Sequence, residues 1–416
     1  MNNIHAATGL HAPSRRDLLK AAALMPVGWA GAAYASDAPE QTDVNIGFVA
    51  VESCGSLVAA HEKGFFAKHG LKSTMTLQNG WAAARDKVIS GENHASHLKY
   101  DQPLASTIGL LGAPKIPIVA PFTLSRSGSV FMVSTSMKGK LTFDPASWRA
   151  VLEERKAKNE TFTIALPLPF GWHGLMYRYF LANAGINADK DMRLITLPPA
   201  QMVQNIRVGT MEACSMVEPW GNRGVADGIT SIVMYGHEMW PNHPIKALGM
   251  RADWAEKNPR TTQAILRAVQ EAATWCDNPE NRPELARILS GPSYLNTPVK
   301  YILPTLLGQF DWGDGRKETA PAKGIGYANT VPQAREAKWH LTQFRRWGMT
   351  DGAPDYDGAT QAVLRPDLHT QAMRDLGLPA PVQDLSPLTL WDGVTFDPAK
   401  PEAYATSFAI NSLKGA

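Results

Sequence analysis

Residues 163–220 constrain the fold more than any other stretch. Short apolar runs alternate there with amphipathic ones, and proline or glycine stands at each change. Residues 162–168 read as a strand. Pro167, Pro169 and Gly171 then make a loop. The spacing of Leu175, Tyr179 and Ala182 predicts a helix over 172–183, with Gly185 where a C-cap is expected. Residues 192–197 read as the next strand, stopped by Pro198 and Pro199. Residues 201–208 form a second predicted helix, ended by Gly209, and 213–217 a third strand. Strand, helix, strand, helix, strand is the order of a parallel α/β layer. Such layers bind ligands beyond the carboxyl ends of their strands. The loop Pro169-Phe170-Gly171-Trp172-His173 lies at that end and opens a helix. Free N–H groups and partial positive charge make a helix N-terminus suitable for an anion.

The first half of the chain repeats the pattern. Residues 43–49 are β-like, 57–69 helical with a break at Gly64, and 71–77 a strand. A helix follows over 81–90 and a short strand over 94–98. Residues 116–121 and 130–134 read as strands near a crossing between two lobes. A charged helix over 147–158 leads into the central stretch, and 229–235 is a strand. Residues 242–250 return the chain across. Further helices are expected from Asn258 to Pro279 and over 286–289, 299–310 and 331–347. The tail after Met349 is rich in proline and glycine, and is expected to wrap the surface with little regular structure.

The N-terminus reads as an address. Ser14-Arg15-Arg16-Asp17-Leu18-Leu19-Lys20 is a twin-arginine pattern, residues 21–33 are modestly apolar, and Ala33-Tyr34-Ala35 is a small-x-small cleavage site. The expectation is a twin-arginine signal peptide over 1–35, cleaved near Ala35. It would leave a soluble periplasmic protein of about 380 residues, enough for two lobes. The apolar run is too short and glycine-rich to span a bilayer. The 41 basic and 38 acidic residues nearly balance, which argues against a nucleic-acid footprint. Cys54, Cys214 and Cys276 are odd in number and far apart, so neither a disulfide framework nor a metal knuckle is expected. No G-x-S-x-G or Walker pattern occurs, and no nucleophile–base arrangement can be recognised. The expectation is a binding protein, not an enzyme.

Several motifs carry a family resemblance. They are EKGFFAKHGL at 62–71, the run from Trp81 to Asp86, and GWHGLMYRYFLANAGINADKD at 171–191. LPPAQMVQNIRVGTMEA at 197–213, EPW at 218–220 and HPIKALGMRADWAEKNP at 243–259 follow, with residues 339–348. Together they resemble the periplasmic nitrate/bicarbonate-binding protein family of ABC transporters, over most of residues 43–350. The resemblance implies a two-lobed α/β periplasmic binding protein, type II-like, with a hinged cleft between the lobes. Residues 43–134 and 247–416 would form one lobe and 135–246 the other. The protein would act as a monomer, close on a small anion and deliver it to a membrane permease and its ATPase. No cofactor is implied.

The resemblance also selects ligand side chains. Lys246 stands where the nitrate binders carry a ligand lysine, and its ammonium would balance one negative charge. Read alone it would be a solvated surface lysine. His173 matches the family's Gly-x-His loop and can donate one hydrogen bond when neutral. Gly171 lacks a Cβ, so the backbone could approach the ligand. Trp81 would offer an indole N–H and a wall. Ser129 stands near a family glutamine but is shorter. Trp172 replaces a smaller polar residue, and the segment from His97 to Asp101 departs too. Lys99 or Tyr100 could reach a ligand there, but a solvated loop is the expected reading. The lysine favours a bare anion without metal. Nitrate fits an all-donor site; nitrite, bicarbonate, cyanate or a sulfonate remain open, as does a periplasmic sensor.

Overall fold

The computed structural model describes residues 38–414. The predicted export segment over 1–35 lies outside the described residues. Two sheets organise the rest. The first contains β1 (Asp43–Phe48), β2 (Lys72–Leu77), β3 (Ala95–Lys99), β4 (Ile118–Val119), β5 (Thr123–Arg126) and β11 (Pro244–Arg251). Its order is β2-β1-β3-β11-β4, with β5 also paired to β11. The second contains β6 (Ser129–Ser134), β7 (Thr163–Leu166), β8 (Arg193–Thr196), β9 (Ala213–Val217) and β10 (Thr230–Tyr235), in the order β10-β6-β9-β7-β8. The repeated strand–helix–strand segments form the parallel parts, β2-β1-β3 and β8-β7-β9. β11 runs antiparallel to β3, and β6 antiparallel to β9 and β10. The chain leaves the first sheet after Arg126, enters the second at Ser129, and returns between Tyr235 and Pro244.

Local sequence explains the elements. β7, β9 and β10 are buried at every position, which is why their sequences show no in–out alternation of apolar and charged residues. Gly64 sits at φ 75°, so it divides the helix Gly55–Glu62 from Phe65–Lys68 where the break was expected. The long helix Pro259–Asp277 begins with proline at its first turn and buries Ile265, Val269, Ala272 and Ala273. At the crossing, Arg126 is buried and forms a bidentate pair with Glu336 at 2.6 and 3.1 Å. Its guanidinium also donates to the carbonyls of Asn329, Asn242 and Val331. One side chain thereby ties both crossing segments to the helix Ala334–Arg346.

The structure corrects two of the expected elements. The tail is not a plain wrap: it holds helices Tyr356–Leu364, Pro366–Asp375 and Pro401–Thr406, and a short hairpin, Leu388–Thr389 with Thr395–Phe396. Pro366 and Pro401 stand in first helical turns, where a missing N–H costs nothing, so they mark starts and not breaks. The helix expected over 299–310 stops at Leu306. Gly308 turns the chain at φ 64°, and Gln309–Asp311 pairs with Lys317–Thr319.

Candidate functional site

Four of the five expected ligand residues converge at the junction of the two sheets. Lys246 lies on β11 directly opposite Lys99 on β3 and Ser125 on β5. Residues opposite one another on antiparallel strands project from the same face. This row therefore sets two lysines and a serine side by side, all buried. Trp81 opens the helix Trp81–Ser90, and its ring centroid is 4.7 Å from Lys246 Nζ and 5.4 Å from Lys99 Nζ. Gln102 fixes this arrangement. Its Nε2 donates to the Trp81 carbonyl at 2.7 Å, and its Oε1 accepts from the Lys99 amide at 3.0 Å. From the second sheet, the loop after β7 brings Gly171 and His173. Lys99 Nζ and His173 Nδ1 are 2.8 Å apart.

That contact fixes the imidazole. A protonated Lys99 has no lone pair, so its Nζ donates and Nδ1 accepts. The neutral ring then carries its proton on Nε2. Nε2 is buried without a hydrogen-bond partner; the Met216 carbonyl near the ring makes no bond of good geometry with it. Lys246 Nζ and Trp81 Nε1 are likewise buried and unpartnered, as is the Ser125 hydroxyl. Buried donors are ordinarily satisfied, so this group calls for an acceptor.

Gly171 has a different reason from the expected one. Its φ is −79°, open to any residue. A Cβ there would stand 2.3 Å from Lys99 Cε, so glycine makes room for the lysine stem. The helix N-terminus also differs from expectation. The Trp172 amide donates to Asp101 Oδ2 at 2.7 Å, so one of its free N–H groups is already spent on the chain's own carboxylate. Trp172 is fully buried and stacks on His243, centroids 4.1 Å apart and planes at 12°. Ser129 does not join the lysine row. Its hydroxyl is 3.0 Å from His243 Nε2, and His243 Nδ1 is 3.0 Å from the Trp240 carbonyl.

Lys99 overturns the reading of its segment as a solvated loop. It is the last residue of a buried strand and is fully enclosed, and Tyr100 and Asp101 are buried too. The signal was the alternation itself: His97 and Lys99 lie on the same face of β3, two residues apart. Without its neighbours, a lysine at a strand end reads as exposed.

Burial controls the electrostatics. It holds Lys246 well below the ordinary lysine range; the Lys99 charge adds to this, and Asp101 opposes it. Burial lowers Lys99 to about 8, again opposed by Asp101. His173 and His97 are held well below the usual histidine range by burial first, then by the two lysines. The three cysteines are free and buried. Among the described residues, no group of three or more His, Cys, Asp or Glu side chains is placed to hold a metal ion. The surface groove of about 700 Å³ lined by parts of 107–115 and 349–362 contains none of the site side chains.

Residues 37–290 match the NMT1-like family. The chain belongs to the NMT1-like family. This NMT1-like chain is 34% identical to the nitrate/nitrite binding protein NrtA of Synechococcus elongatus, over 91% of this chain and 88% of that protein. It is 33% identical to the bicarbonate-binding protein CmpA of the same species, over 91% and 89%. The crystal structure of the periplasmic nitrate-binding protein NrtA from Synechocystis aligns with a TM-score of 0.85 at 32% identity. That alignment covers 90% of this chain and all of that one. The resemblance drawn from the sequence motifs therefore holds, and the NMT1-like chain has the two-lobed periplasmic binding protein fold.

Proposed function

We propose that this protein is the solute-binding component of an ABC importer, and that it captures a small anion, nitrate first, at the Lys246 row. One observation carries the reading: Lys246 Nζ, Trp81 Nε1 and His173 Nε2 are buried donors without partners. An ion made only of acceptors satisfies them all, and Lys246 supplies its counter-charge. The relatives named for nitrate and bicarbonate support the same class of ligand. Gly171 admits Lys99 to the site, and Ser129 contributes by holding His243 under Trp172.

The lobes follow the sheets in this reading. One takes residues up to 126 and from 244 onward, and the other 129–235, so the ligand lysines and His173 come from opposite sides of the cleft. That places the change of lobe earlier than the 134/135 boundary expected from the sequence, because 129–134 pairs in the second sheet. The twin-arginine pattern at 14–20 would deliver the protein to the periplasm, with cleavage near Ala35, where it works as a monomer with a permease and an ATPase. No turnover is proposed. Ser73 contacts His61 at 2.7 Å, and two buried Ser–His contacts occur among the described residues, Ser129 with His243 and Ser53 with His97 at 3.1 Å. The other imidazole nitrogens face a backbone carbonyl and a backbone amide, so no carboxylate backs either pair as a triad requires.

Bicarbonate is the second reading, favoured by one atom. Asp101 Oδ1 is buried and unpartnered, and would accept the bicarbonate hydroxyl. Calorimetry with nitrate, nitrite, taurine, and bicarbonate with and without calcium decides between them. Saturable nitrate binding supports the first reading. Bicarbonate binding without calcium and silence for nitrate supports the second. Silence for every small anion refutes both.

A further inference from the structure

The charges of the buried cluster limit what can enter it. Lys99 and Lys246 are both fully enclosed and stand opposite each other on neighbouring strands. Asp101 is the carboxylate whose field acts on both. The other titratable groups around Lys246 are His97 beside Lys99, His173 from the second sheet's loop, His243 just before β11, and Cys54 from the turn after β1. Burial pushes the Cys54 thiol up to about 12 and lowers His243 to about 3, and it keeps His97 and His173 neutral. Two ammonium groups with one carboxylate would leave a single positive charge in a dry interior, which is strongly disfavoured. The two lysines are not equivalent. Lys99 Nζ has an acceptor in His173 Nδ1, whereas Lys246 Nζ has only the face of Trp81.

We propose that the anion enters together with one proton taken from solvent, that Lys246 holds this proton, and that Lys99 with Asp101 is a pair whose charges already balance at neutral pH. The proposal rests on the small-anion reading above. The balance is simple. Without ligand, Lys99 is positive, Asp101 negative and Lys246 a neutral amine, so the site has no net charge. With ligand, the new negative charge is matched by the new ammonium on Lys246, and no bond within the anion changes. A doubly charged ion would leave the site at −1. The arrangement therefore selects monovalent anions such as nitrate over sulfate or carbonate. The pH dependence follows from linkage. Affinity is flat below the pKa of ligand-free Lys246 and falls about tenfold per pH unit above it. Burial lowers that pKa most, so the fall begins well below the ordinary lysine range.

The test is to add nitrate to the purified protein in weak buffer at pH 7.5 and measure proton uptake with a pH-stat. Close to one proton per bound nitrate is expected. Lys246→Arg, whose guanidinium stays charged, is expected to bind nitrate more weakly and with no uptake. Nitrogen NMR of the lysine Nζ signals in the wild-type protein gives an independent reading if the arginine variant does not fold. Lys246 is expected as an amine before nitrate and an ammonium after. Nitrate binding with no proton uptake and a pH-independent Kd overturns the proposal and leaves the small-anion reading standing. Uptake retained in Lys246→Arg overturns the assignment to Lys246. Sulfate bound more tightly than nitrate overturns the charge rule. Absence of binding by nitrate, nitrite and bicarbonate overturns this proposal and the function it rests on.

Discussion

Replacing Lys246 with methionine should move binding and stability in opposite directions. The lysine is fully buried, its Nζ has no hydrogen-bond partner, and it lies over the Trp81 ring. Methionine keeps most of the stem volume, so the packing cost is below about 1.5 kcal/mol. Against this, an unpartnered buried polar group costs about 1–3 kcal/mol, and that cost disappears. The ligand-free variant should therefore be more stable, by roughly 1 kcal/mol. The gain should grow as pH falls. Lys246 is depressed in the folded state, so the unfolded chain binds more protons and wild-type stability drops towards acid. The methionine variant lacks this term. Nitrate loses its counter-charge, which for a buried charge-assisted contact costs about 2–5 kcal/mol, or roughly a thirtyfold to several-thousandfold rise in Kd. Urea denaturation at pH 6 and pH 9, with calorimetry beside it, measures both. A variant that is less stable at both pH values and binds nitrate normally would refute the reasoning, because Lys246 would then be a structural lysine.

Other substitutions probe the rest of the site and its support. Trp81→Phe keeps the wall but removes the indole donor, and should weaken nitrate binding by about 1.5–3 kcal/mol, read as a tenfold or greater rise in Kd by calorimetry. Gly171→Ala puts a methyl 2.3 Å from Lys99 Cε. Overpacking of about 1–3 kcal/mol should appear in denaturation, and unchanged stability and affinity would show that Lys99 can move away freely. Glu218 is buried, and burial raises its carboxyl to about 7. Its folded form holds a proton that the unfolded chain releases near 4.5, so stability is lost as pH rises through 7. Glu218→Gln should accordingly gain about 2.5 kcal/mol over wild type between pH 5 and pH 8 in unfolding free energy from denaturation. Arg126→Met leaves Glu336 buried without its partner and three carbonyls without a donor. It should cost about 3–5 kcal/mol, checked by the same denaturation series.

The sheets and most helices are local facts, so the amino-acid sequence by itself determines them. The apolar runs at 163–166 and 213–217, the glycine stops at Gly64, Gly185 and Gly209, and the proline stops at 198–199 predict their elements within a few residues. The helices of the tail are not legible in the sequence, because a proline at the first turn of a helix and a proline in a loop look alike there, and only burial of Val363, Leu364 and Met373 separates them. The HPIKAL and GWH motifs picked out Lys246, His173 and Gly171. What the sequence could not supply is the role of Lys99. Its position 147 residues from Lys246 becomes a direct pairing only when β11 returns antiparallel beside β3. Its contact with His173 exists only because the second sheet's loop closes over that row. Likewise, Gly171 looks like a turn residue until Lys99 Cε is found where its Cβ would be. Periodicity along the chain encodes which face of an element is buried. Charge compensation in a dry site depends on which side chains from distant segments share that volume, and tertiary packing alone decides that.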